Sequence, residues 1–74
     1  MTHGELKNMV KCGMEYDFIF QNHQYWISHS KEGYHLTKSY VDSQTFETSD
    51  ELFQNGRVDG KSILELWDDI KQYF

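Results

Sequence analysis

The chain has 74 residues, 38% of them apolar and 16% aromatic, with no proline, which suits one small folded domain over residues 1–74 and leaves little room for a deep pocket. Its formal charge is −5. Such a surface disfavours nucleic acid, whose binders gain affinity by neutralising phosphates with Lys and Arg, and no apolar run approaches the roughly 20 residues that cross a bilayer.

Thr2-His3-Gly4-Glu5 fits a capping box, in which a threonine and a glutamate three residues on satisfy each other's free backbone donors. Leu6, Met9 and Val10 follow at i, i+3 and i+4, and Gly13 supplies a stop. A short helix over about 3–12 is expected. MTHGELKNMVKCG lacks the charged-then-apolar layout of a signal peptide, and Cys12, the only cysteine, permits no internal disulfide. These features suggest a cytoplasmic protein.

From Met14 the rhythm changes to two. Met14, Tyr16, Phe18 and Phe20 alternate with Glu15, Asp17, Ile19 and Gln21, the pattern of a half-buried strand. A turn at Asn22-His23 leads into QYWISHS, with Phe20 opposite Tyr25, Phe18 opposite Ile27 and Tyr16 opposite His29 on one face. Ile19 and Trp26 share the other. Lys31-Glu32-Gly33 makes a second turn, and YHLTKSY, residues 34–40, is a third strand. Its register is open: a three-residue loop puts Tyr34 and Leu36 on the Trp26 face, a two- or four-residue loop on the Phe18 face. Residues 41–48 are a loop or a short fourth strand around Phe46.

Helical signals return at Thr48-Ser49-Asp50-Glu51, with Leu52-Phe53 as a buried edge and Asn55-Gly56 as the end. In SILELWDDIKQYF, Ile63, Leu66, Trp67, Ile70 and Phe74 mark an amphipathic helix. The expected fold is α+β: a three- or four-stranded antiparallel meander, a short N-terminal helix, and one short plus one longer C-terminal helix packed on the sheet.

Between those last helices stands GRVDGKS, which suggests a phosphate-binding loop. The position five before Gly60 holds Asn55 where G-x-x-x-x-G-K-[ST] needs glycine, and a helix precedes the loop where the motif needs a strand. A calcium loop starting at Asn55 fails too, with Arg57 and Leu66 at ligand positions three and twelve. The stretch reads as a connector in which Val58 packs inward and Asp59 or Ser62 caps the final helix. A Ser62–Glu65 capping box would complete it.

His29, His35 and Cys12 are the residues on which a tiny metal-dependent or thiol-based enzyme could be centred. No H-x-x-x-H or C-x-x-C pair supports it, and a thiol at a helix C-terminus has no help in ionising. The expectation is therefore a non-enzymatic protein without catalytic residues, metal or cofactor. Aromatic surface remains. Either the two helical ends divide between the sheet faces, or one face is left for a protein partner or a second copy, with Ile19, Trp26, Tyr34 and Leu36 as the anchors. An acidic surface is the other possible recognition feature: Asp42 to Phe74 carry eight acids against three cations.

The pattern FETSDELFQNGRVDGKSILELWDDI, residues 46–70, resembles small uncharacterised proteins of Firmicutes and their phages, which share an aromatic meander and a similar DGKS-helix ending. That group carries no assigned activity. The resemblance implies a bacterial or phage setting for a small interaction or regulatory module, and adds no chemistry.

Overall fold

Local signals set the first element, α1, His3–Lys11. In the computed structural model, which describes residues 1–39 and 42–74, Thr2 N donates to Glu5 Oε1 at 2.8 Å and Glu5 N to Thr2 Oγ1 at 3.1 Å. The bond from the Thr2 backbone N–H, and then the Thr2 hydroxyl, hold the Glu5 carboxyl below its ordinary pKa. At the other end Gly13 takes φ 99°, and the Gly13→Val10 and Met14→Met9 backbone bonds, 2.9 and 3.0 Å, form a Schellman stop. Leu6 and Val10 are buried, whereas Met9 is exposed.

Four strands follow: β1 Tyr16–Phe20, β2 His23–Ser30, β3 Gly33–Lys38 and β4 Asp42–Phe46. They pair in chain order as one antiparallel meander. Tyr40 and Val41, which the sequence pattern gives to the third strand and the next segment, lie outside the described residues.

The first hairpin differs from expectation by two residues. Gln21 and Asn22 both occupy the left-handed region, φ 53° and 64°, as a type I′ turn demands, so the turn is Gln21-Asn22. Phe18 consequently faces Tyr25, with the rings stacked 5.3 Å apart, and Tyr16 faces Ile27. A shift of two keeps every side chain on its own face. The second hairpin uses a two-residue loop, Lys31-Glu32, pairing Ser30 with Gly33, His29 with Tyr34 and Ile27 with Leu36. Tyr34 and Leu36 therefore stand on the Phe18 face.

Helix α2, Ser49–Asn55, starts at Thr48, whose hydroxyl accepts from Glu51 N at 3.1 Å. Beyond Gly56 the chain makes a tight turn. Val58 N donates to Lys61 O at 2.7 Å and Lys61 N to Val58 O at 3.1 Å, around Asp59 at φ 53° and Gly60 at φ 79°. GRVDGKS is thus a type I′ turn, with Val58 fully buried and Asp59 in the turn, not in a cap. The Gln44 side chain holds this connector to β4, accepting from Arg57 N at 2.8 Å and donating to Arg57 O at 2.7 Å.

The reciprocal Ser62–Glu65 bonds form, at 3.0 and 3.2 Å. The expected longer helix, however, is a run of turns, one α-helical turn α3, Trp67–Ile70, and a 3₁₀ turn, Lys71–Tyr73. Its bonds mix the two spacings: Trp67→Leu64 and Asp69→Leu66 span three residues, Ile70→Leu66 spans four. Two isoleucines and an Asp pair give this stretch weak helix propensity, so packing decides its winding. The apolar side survives, with Ile63, Leu66 and Ile70 buried.

Every helix packs on the same sheet face. Phe18, Tyr25, Ile27 and Leu36 form one core with Leu6, Val10, Leu52, Phe53, Val58, Ile63, Leu66 and Ile70. His3 wedges into its rim, edge-on to Phe53 at 5.4 Å and to Trp67 at 5.6 Å. Its Nε2 is buried without a hydrogen-bond partner among the described residues. Burial first, and then Lys7, lower its pKa from the ordinary 6.5. A histidine with a depressed folded pKa contributes stability that is fully present above the unfolded value and is lost as pH falls through the folded one. Thermal melts between about pH 7 and pH 5 are therefore expected to favour His3→Phe over the native chain increasingly as pH falls. Parallel curves would show that His3 is not desolvated there.

Candidate functional site

The face away from the core carries no helix among the described residues. Alternation sends Asp17 and Ile19 of β1, Gln24, Trp26, Ser28 and Ser30 of β2, His35 and Thr37 of β3, and Ser43 and Thr45 of β4 to this side. Trp26 lies at its centre, half-buried, flanked across the strands by Asp17 and Thr37. Ile19 is 47% exposed at the β1 edge.

The polar side chains around Trp26 are tied into the sheet. Gln24 Nε2 donates to Asp17 Oδ2 at 2.9 Å, which engages one carboxylate oxygen. Ser30 Oγ and Thr45 Oγ1 hold the two His35 ring nitrogens at 2.7 and 3.0 Å, and Thr37 meets Ser43 at 3.2 Å. Short hydroxyl side chains give a flat floor beside a large ring. One carboxylate stands next to that ring. Lys38, the only Lys or Arg of the four strands, projects from the opposite face.

The four expected anchors do not come together. Ile19 and Trp26 share the open face, while Leu36 is 1% exposed in the core and Tyr34 lies at the core's edge. The two-residue Lys31-Glu32 loop is the cause, because each one-residue change in loop length exchanges the faces. Tyr34 has a structural task, donating its hydroxyl to Lys11 O at 3.2 Å. His29 does likewise, its Nε2 lying 2.8 Å from Gly13 O and donating to it. Together they fasten the carbonyl end of α1 to the sheet.

His29, His35 and Cys12 are not brought together either. His29 pairs with Tyr34 on the core face, and His35, opposite Ser28, is on the open one. Cys12 is exposed at the end of α1. Among the described residues no three His, Cys, Asp or Glu side chains group as a metal site would require. No helix there is long and apolar enough to cross a membrane. No family model, curated protein or solved structure matches this chain.

The architecture defines an α+β chain with a four-stranded open sheet covered on one side by helices. The residues that sequence reasoning missed on the sheet face opposite the helices are Asp17 and the hydroxyl rows. They read as ordinary outward strand positions, and only the strand order places them around Trp26.

Proposed function

We propose that this chain is a small non-enzymatic interaction module whose open sheet face takes a basic segment of a partner protein. In the bound state an arginine of the partner lies over the Trp26 indole and pairs with the Asp17 carboxylate. The observation that carries this reading is the cross-strand pairing of Asp17 with Trp26 on the sheet face opposite the helices. A planar guanidinium stacks on an aromatic ring and forks onto a carboxylate, which a compact ammonium does less well. The net charge of −5 favours encounter with a basic partner. The bacterial or phage, cytoplasmic setting belongs to the same reading.

The test is an NMR titration with a short arginine-containing peptide, its lysine and citrulline counterparts serving as comparisons. The Trp26 indole and the amides of Asp17, Ile19 and Thr37 are expected to move most with the arginine peptide. Trp26→Ala and Asp17→Asn should each weaken binding about three- to tenfold, on the scale of one cation–π contact or one exposed ion pair. Binding that favours citrulline, or shifts confined to the helical side, would overturn the proposal. So would concentration-dependent dimerisation through this face, which assigns it to a second copy.

A further inference from the structure

The helical side holds a second feature, independent of the Trp26 face. Gln21 and His23 at the first hairpin, Tyr25 in β2, Lys38 at the end of β3 and Asp59 in the connector turn line a cleft of about 120 Å³. One water takes up roughly 30 Å³ in the liquid, so the space holds about four waters and, being open to solvent, suits a molecule of only a few heavy atoms. Two type I′ turns form its rims. Reciprocal bonds lock the Val58–Lys61 turn, and Gln44 ties it to the sheet, so Asp59 is held in place opposite the strands.

Tyr25 lines this cleft while being only 2% exposed. Its ring is stacked on Phe18 within the core. Burial, and then the Asp59 carboxylate, push its pKa up, so the group stays protonated as a donor at neutral pH. Lys38 and Asp59 bring opposite charges to the same cleft. The ion pairs among the described residues are Lys7–Asp50 and Lys71–Asp68, so these two remain unbridged.

We infer that this cleft binds a small zwitterion of the α-amino acid class. The ligand carboxylate accepts from Lys38 and the Tyr25 hydroxyl, and its ammonium donates to Asp59. Gln21 and His23 close the polar rim. The paired charges select against a simple anion, which Asp59 repels, and against a simple amine, which Lys38 repels. An open cleft of this size sets weak affinity, with Kd of about 1 mM.

The experiment is an NMR titration of the full chain with L-alanine, alongside propionate and isopropylamine, which each lack one of the two charges. Saturable shifts at Gln21, His23, Tyr25, Lys38 and Asp59 are expected with L-alanine. Binding of the other two should be at least about tenfold weaker, as expected when a charge partner is left unmatched. Tyr25→Phe keeps the ring and should weaken binding severalfold. The changes Lys38→Met, at a half-buried strand end, and Asp59→Asn, exposed and well suited to a type I′ turn, should weaken it at least as much while the fold persists. Trp26→Ala should leave this titration unchanged. An absence of saturable shifts with L-alanine would overturn the inference, as would equal binding of propionate, or full affinity in both charge variants.

Discussion

Leu36→Ala is expected to destabilise the domain by about 2–5 kcal/mol, the range for truncating a fully buried leucine. Leu36 is 1% exposed and sits opposite Ile27 in the β2–β3 pair, facing the core. Its Cδ2 also closes on Gly56, coming within 3.1 Å of where a Cβ on that residue would stand, so truncation opens space between sheet and α2. A native domain has roughly 0.05–0.15 kcal/mol of stability per residue, or about 4–11 kcal/mol for a chain of this length. The variant should therefore lose a large fraction of its stability, seen as a lower denaturant midpoint by circular dichroism. Ile19→Ser, on the open face, should stay within about 0.5 kcal/mol of the native chain. The pair tests the sheet's facing directly. Were Ile19→Ser the damaging change and Leu36→Ala the silent one, the β2–β3 loop could not have two residues.

The contrast between these two positions shows how far the sequence was legible. Elements set by local chemistry were readable: the Thr2 and Thr48 caps, the Gly13 stop, the alternation of β1 and β2, and the inward Val58. Each depends on residues a few positions apart. The register of the first hairpin was not, because Gln21 carries no strong signal for the left-handed conformation it adopts at φ 53°. The faces survived because the error was two residues. At the next turn, Lys31-Glu32-Gly33 suits loops of several lengths, and the choice rests on how β3 meets its neighbours. The C-terminal segment kept its buried side but not its helix, since weak propensity yields to packing.

Sites suffer more from this than elements do. Ile19 and Trp26 share a face whatever the third strand does, so half of the expected anchor set was secure. Tyr34 and Leu36 hung on one loop length. The amino-acid cleft had no local signature, because Gln21, Lys38 and Asp59 come from three turns and strand ends far apart in the chain. Only the completed meander, with its connector held to β4, sets them around one space.

Gly33→Ala is expected to be among the most damaging single changes in the chain, costing at least about 3 kcal/mol. Gly33 has φ 130°, where an L side chain costs on the order of 1–3 kcal/mol. A Cβ there would also overlap the Phe46 carbonyl oxygen and approach Glu47 Cα to 3.5 Å. Both are backbone, so relief requires β4 to move as a unit. Gly60→Ala provides the comparison, since Gly60 at φ 79° has nothing within 4 Å of an added Cβ and should lose only about 1–2 kcal/mol to backbone conformation. Denaturant midpoints of the two variants separate steric from conformational cost, and equal losses would show that β4 does not crowd the β2–β3 turn. The displacement should travel further. Phe46 and Gln44 share β4, and Gln44 holds both backbone groups of Arg57, two residues before Asp59. In the folded fraction of Gly33→Ala, the amides of Arg57 and Asp59 should therefore shift although neither residue touches Gly33, and the affinity of the cleft for L-alanine should fall with them.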